Sequence, residues 1–169
     1  ARNKHVIVTE WPAEAAKNHL ALRQVLSQWL ETRHLPPLHF MVETETLSNL
    51  RDRRVFVAED SRGEVVAFAV LSPVSAREGW LVGPIVRGFS APNGTAELLL
   101  DTAMRSIAAS GSTYATLGLS PLSRCAGLAR LAQPLWLSVV LDMVRRRGAG
   151  FSNFAGLDAF QAKFNPEEW

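Results

Sequence analysis

The sequence predicts a mixed α/β domain with a mostly antiparallel sheet flanked by helices, and three observations carry that expectation. Apolar residues fall at helical spacing between Ala13 and about Arg33. A strand, a turn and a second strand follow one another from Val55 to Leu71. A turn-rich loop then leads into a long helical pattern from about Thr95 to Ser110. One domain, residues 1–169, is the natural count for this length, and such a chain can bury a core without covalent staples. Apolar content of 47% against 20% charged residues argues against disorder.

Val6-Ile7-Val8 is short and strand-like. Leu22, Leu26, Trp29 and Leu30 share one helical face, and His34-Leu35-Pro36-Pro37 stops that helix. Val55 to Glu59 reads as a strand. Asp60-Ser61-Arg62-Gly63 has turn chemistry, and Glu64 to Leu71 returns as a second strand. Gly79 to Arg87 is a third, interrupted by Gly83-Pro84, because proline removes a ladder donor. Gly88 to Gly94 is a loop, and Ala96, Leu99, Leu100, Ala103 and Ile107 form the face of the following helix, closed by Gly111. Tyr114 to Leu119 is a further strand, ended by Pro121. A helix apolar on nearly all sides is expected from Pro134 to about Arg147, either deeply buried or meant for a partner. Gly156 to Phe164 closes as a short helix with Leu157, Phe160 and Phe164 on one face.

Composition narrows the function classes. Cys125 is the only cysteine, which excludes a disulfide framework and a cysteine-based zinc site. The four histidines show no ligand spacing, so no metal is expected. No run of about 18 apolar residues occurs, so no membrane span is expected, and the start lacks signal-peptide character. A net charge of +2 is too mild to indicate nucleic-acid binding by itself. Two basic knots stand out locally, Arg51-Asp52-Arg53-Arg54 and Arg145-Arg146-Arg147, each also readable as a solvated turn or helix end.

Three stretches carry a resemblance. The first runs from Val57-Ala58-Glu59 through Ala67 to Pro73. The second is Ile85-Val86-Arg87 with Ala91-Pro92-Asn93-Gly94-Thr95-Ala96-Glu97-Leu98-Leu99. The third pairs Thr116 to Ser123 with the closing block from Phe151 to Trp169. Together, over about Val55 to Trp169, they resemble the phosphatidylglycerol lysyltransferase C-terminal domain family. The resemblance implies a fold similar to the GNAT acetyltransferases, whose order of elements the chain also follows. It implies movement of an amino acid from aminoacyl-tRNA to phosphatidylglycerol or another acceptor, with no cofactor. It further implies a catalytic unit at the C-terminal end of a larger protein with a membrane-embedded or second GNAT-like domain, in a cytoplasmic setting at the inner face of the plasma membrane. Three positions depart from the family pattern. Gly83-Pro84 replaces acidic character, Gln161 replaces one of two lysines beside Lys163, and Ser152 replaces a tyrosine.

Aminoacyl transfer starts from an activated ester, so orientation and charge stabilisation can suffice. The loop Gly88–Gly94 delivers backbone donors onto a helix start, which suits a phosphate or developing oxyanion, and Ser90, Asn93 and Thr95 add side-chain donors. The same residues suit a capped helix start, with Asn93 or Thr95 as cap. Glu97, in the first turn, is suited to complementing the helix dipole, to receiving an aminoacyl ammonium or to accepting a proton. Arg87 offers bidentate phosphate recognition, and Lys163 a point charge. With the resemblance, Glu97 and Lys163 are the catalytic candidates, and Arg87, Ser90, Asn93 and Thr95 the substrate-binding ones. Arg145, Arg146 and Arg147 are the candidates for contact with tRNA. Two alternatives remain: an acetyl-CoA-dependent N-acetyltransferase, against which the missing loop glycines and Pro92 count, and a non-catalytic binding or regulatory module.

Overall fold

Five strands form one sheet in the order β1-β2-β3-β4-β5 among the residues that the computed structural model describes, 5–32, 47–118 and 154–167. They are β1 (Ile7–Trp11), β2 (Arg54–Glu59), β3 (Val65–Val74), β4 (Gly79–Arg87) and β5 (Ala115–Thr116). The first four pair antiparallel, and β5 joins β4 in parallel. Parallel neighbours need a crossover, supplied by helix α3 (Thr95–Ala109). Contacts divide the chain into two compact units, Ala1–Leu117 and Gly118–Trp169, and the sheet belongs to the first.

The β2–β3 turn forms for a local reason. Asp60 Oδ1 accepts from the amides of Arg62 at 2.8 Å and Glu64 at 3.0 Å, and Gly63 supplies a φ of +77°. Those backbone donors hold the Asp60 carboxyl below its usual range. β3 runs three residues further than its sequence suggests, to Val74. Pro73 is tolerated because β2 has already ended, at Arg54 opposite Leu71.

The helix expected from Ala13 to Arg33 is two helices, α1 (Ala13–Ala16) and α2 (Leu20–Glu31). The break falls at Asn18, which adopts a left-handed φ of 57° while its amide donates to the Leu47 carbonyl. α2 buries Leu22, Val25, Leu26 and Trp29 against Val55, Val57, Phe68, Val70 and Val86, one face of the sheet. Full burial of such a side chain contributes roughly 1.5–3 kcal/mol.

The opposite face carries Arg54, Phe56, Ala58, Ala67, Ala69 and Leu71, since strand side chains alternate. α3 covers it, burying Leu99, Leu100, Ala103 and Ile107. A polar clasp fixes that layer. The Arg54 guanidinium donates to both Glu10 oxygens, at 2.7 and 2.6 Å, and to the α3 hydroxyls of Ser106 at 2.8 Å and Ser110 at 3.1 Å. It also lies over the Phe56 and Trp80 rings, 5.5 and 5.6 Å from their centroids. The hydrogen bonds from Arg54 hold the Glu10 carboxyl below its ordinary range and raise the guanidinium in turn.

A pH dependence follows. Because the folded Glu10 carboxyl is the stronger acid, its stabilisation is present above the unfolded value of about 4.3 and is lost as pH falls through the folded one. Arg54→Ala is expected to cost about 2 kcal/mol at neutral pH, as loss of charge-assisted hydrogen bonds does. Denaturant titrations at pH 7 and pH 3 check this, the variant's deficit being smaller at the lower pH.

In the second unit, α4 (Phe154–Ala162) ends earlier than expected, and Asn165, at φ 47°, closes the following turn. The Phe160 and Phe164 rings lie 5.5 Å apart at 58°. The expected Pro134–Arg147 helix lies outside the described residues. The strand expected at Tyr114–Leu119 is shorter: only Ala115–Thr116 pairs as a strand, while Tyr114, Leu117 and Gly118 are described and lie outside it.

Candidate functional site

β4 is bent where the sequence marks it. Leu71 pairs with Val82 and Ala69 with Ile85, so Val70 alone opposes both Gly83 and Pro84. This is a β-bulge, a feature frequent beside active sites. A Cβ at Gly83 would lie 2.8 Å from the Val70 carbonyl oxygen, so only glycine allows this approach. The β4–β5 pairing, Trp80–Ala115 and Leu81–Thr116, stops before the bulge. The C-terminal half of β4 thus runs past the last described β5 partner and ends at Arg87.

Register places Arg87 opposite Ala67, on the face that α3 covers. Its Nη2 donates back to the Ala91 carbonyl at 3.2 Å. Its Nε is buried without a hydrogen-bond partner among the described residues. A buried unpaired donor is costly, more so on a charged group, and a ligand oxygen would relieve it.

Gly88 to Gly94 is pinned from within. The Gly88 amide donates to the Val66 carbonyl at 2.9 Å, and the Ala91 amide to the Gly88 carbonyl at 3.2 Å. The Phe89 amide donates to Gln28 Oε1 of α2 at 3.2 Å. Thr95 is fully buried, and both its amide and hydroxyl donate to the Pro92 carbonyl, at 3.2 and 2.7 Å. Thr95 therefore braces the loop from beneath. Neither Asn93 nor Thr95 caps α3: the N-cap is Gly94, at φ 86°, with no side-chain cap bond. The left-handed turn there suits glycine and puts the cap one residue past Asn93. The first-turn donors of α3 thus lack a side-chain cap, which favours an anion at this end.

Arg87, Ser90, Asn93, Thr95 and Glu97 all come from this one β4–α3 junction. Ser90 and Asn93 are exposed, while Arg87 and Glu97 are half-buried, Glu97 in the first turn of α3. Phe89 is 66% exposed beside them. Lys163 is exposed in the second unit, just beyond α4, with its amide donating to the Phe160 carbonyl at 3.2 Å. Gln161, standing where the family pattern has a lysine, is buried. Arg145, Arg146, Arg147, Cys125 and Ser152 lie outside the described residues.

Sequence reasoning missed Gln28. It sits on the half-buried flank of α2, and no local pattern announces a bond across 61 residues. A cleft of about 410 Å³, lined by Asn18, Arg23, Leu26, Ser27, Leu30, Leu47 and Ser48, includes none of the candidate residues. Among the described residues no group of three His, Cys, Asp or Glu could hold a metal, and no helix is long and apolar enough to cross a membrane.

The whole chain, residues 1–169, matches the family described as phosphatidylglycerol lysyltransferase, C-terminal. The chain belongs to that family. No curated protein matches it in sequence. Among solved structures it is similar to L-PGS from Bacillus licheniformis, with a TM-score of 0.65 at 21% identity over 98% of this chain and 49% of that one. It is similar also to the C-terminal domain of an Agrobacterium fabrum protein assigned as a lysylphosphatidylglycerol synthetase, with a TM-score of 0.65 at 21% identity over 98% of this chain and 48% of that one. A GNAT family acetyltransferase from Brucella melitensis, solved with acetyl-CoA, matches over 69% of this chain and 77% of its own, with a TM-score of 0.54 at 19% identity. The lysyltransferase C-terminal family is thus a family of transferases, and in this member it has the GNAT fold. The chain spans about half the length of the first two structures.

Proposed function

We propose that this chain is the aminoacyl-transferring unit of a larger protein, moving an amino acid, lysine-like in character, from aminoacyl-tRNA to phosphatidylglycerol or another acceptor. The observation that carries the reading is the β4–α3 junction. There a guanidinium with an unpaired buried Nε, an uncapped helix start and a first-turn carboxylate lie on one short segment of a lysyltransferase-family domain. In the transfer, the acceptor oxygen attacks the ester carbonyl, the bond to the tRNA ribose oxygen breaks, and the acceptor's proton ends on that leaving oxygen. Glu97 receives the aminoacyl ammonium or holds the proton in passage, Arg87 and Lys163 meet phosphate, and Ser90 and Asn93 donate to substrate oxygens. Arg145, Arg146 and Arg147 contribute to holding tRNA. A single catalytic domain of residues 1–169, set at the inner face of the plasma membrane beside a membrane-embedded or second GNAT-like domain, completes the proposal.

The direct test follows labelled amino acid from lysyl-tRNA into phosphatidylglycerol vesicles. Label in the lipid supports the reading. Label released only as free amino acid counts against it, and replacement of Arg145, Arg146 and Arg147 by Ala should lower both tRNA affinity and its salt slope.

The runner-up is acetyl transfer from acetyl-CoA, favoured by the fold shared with the Brucella enzyme. Hydrogen bonding in the loop disfavours it. The Gly88, Phe89 and Ala91 amides are spent inside the protein, and Pro92 has none, so the first half of the loop has little left to give a pyrophosphate. Acetyl-CoA is accordingly expected not to bind at micromolar concentration. Calorimetry returning a micromolar dissociation constant would promote acetyl transfer over the present reading.

A further inference from the structure

We propose that Gln28 is a positioning residue for the transfer site, setting the loop between β4 and α3 from the far side of the sheet edge. The proposal rests on the reading of that loop as substrate-facing. α2 holds its apolar stripe, Leu22, Val25, Leu26 and Trp29, against the sheet, which fixes the neighbouring half-buried flank where Gln28 stands. From there Oε1 accepts the Phe89 amide at 3.2 Å. The contact is closely fitted, because a Cβ on Gly88 would lie 2.8 Å from the same oxygen. Gly88 is thus the residue that admits the amide group of Gln28 beneath the turn.

Two anchors then act on opposite limbs of one loop. Gln28 holds the amide limb at Phe89, and Arg87 holds the carbonyl limb at Ala91. Between them stands Ser90, exposed, and beyond them the start of α3 with Glu97. Releasing the Phe89 limb leaves the Arg87 guanidinium tied to a mobile carbonyl, so its remaining donors lose their fixed direction. Positioning of this kind matters because a displacement of about 1 Å can cost about 100-fold in rate. Gln28 touches no substrate in this account. Its effect passes through the loop.

The test uses three variants. Gln28→Leu keeps bulk and removes the acceptor, Gln28→Glu keeps an acceptor, and Gly88→Ala keeps the glutamine while displacing its oxygen. Amide hydrogen exchange at Phe89 is expected to quicken about 10-fold in Gln28→Leu and in Gly88→Ala, and to stay near wild type in Gln28→Glu. Transfer from lysyl-tRNA is expected to lose about 10-fold in kcat/KM in the first two and recover most of it in Gln28→Glu, with melting temperatures little changed. Unaltered exchange at Phe89 in Gln28→Leu overturns the proposal, as does faster exchange with undiminished transfer. Wild-type protein that transfers nothing contradicts the proposed function instead, and the exchange measurement then still decides whether Gln28 sets the loop.

Discussion

Glu97→Gln is expected to weaken binding of an aminoacylated substrate analogue about 10- to 100-fold while leaving tRNA that carries no amino acid unaffected. The substitution keeps the shape of the side chain and removes its charge. A hydrogen bond to a charged group is worth about 1.5–3 kcal/mol, and each 1.4 kcal/mol is tenfold in affinity. Glu97 sits in the first turn of α3, at the end of the junction that begins with Arg87. Arg87→Ala should do the reverse, weakening both forms of tRNA through lost phosphate contact and sparing the free-amine selectivity. It also frees the Ala91 carbonyl, so part of its loss is loop order. Equal binding of both ligands by Glu97→Gln and wild-type protein, with folding intact, would reduce Glu97 to a carboxylate that complements the helix dipole.

The second large effect is expected in stability. Gly83→Ala should cost about 2 kcal/mol, the usual range for overpacking being about 1–3 kcal/mol. The added Cβ meets backbone, the Val70 carbonyl oxygen at 2.8 Å, which cannot turn aside as a side chain can. Relief requires the bulge to open, which shifts the second half of β4 and with it Arg87. Guanidinium unfolding curves check the figure, and a loss below about 0.5 kcal/mol would show that the bulge yields freely. Transfer activity of the folded fraction should fall as well, because the strand that carries Arg87 has moved.

The fold was largely legible because its signals are local. β-branched runs around Val55–Val57 and Val65–Val70, the Asp60–Gly63 turn, and the spaced leucines of α3 each specify their element within a few residues. Even the irregularity of β4 was legible, since proline and glycine together in a strand leave few other arrangements. The break at Asn18 was not, because it depends on a bond to Leu47 that no neighbour in sequence announces. Local sequence, through turn chemistry and the family resemblance, singles out the candidate loop, which lies at the β4–α3 junction. What it missed are the long-range braces. Thr95 reads as an exposed donor until its burial and its bonds to Pro92 are seen. Gln28 and the Glu10–Arg54 clasp join residues 61 and 44 positions apart, and such pairs leave no periodic trace.

The proposed role of the β4–α3 junction is recognition of an amino acid esterified to tRNA. It is tested most directly by titrating the full chain with lysyl-tRNA, with the same tRNA stripped of lysine, and with acetyl-CoA. Lysyl-tRNA is expected to bind at least about 10-fold more tightly than stripped tRNA, the difference vanishing in Glu97→Gln, with acetyl-CoA not bound at micromolar concentration. Equal affinity for charged and stripped tRNA, or micromolar binding of acetyl-CoA, would contradict it.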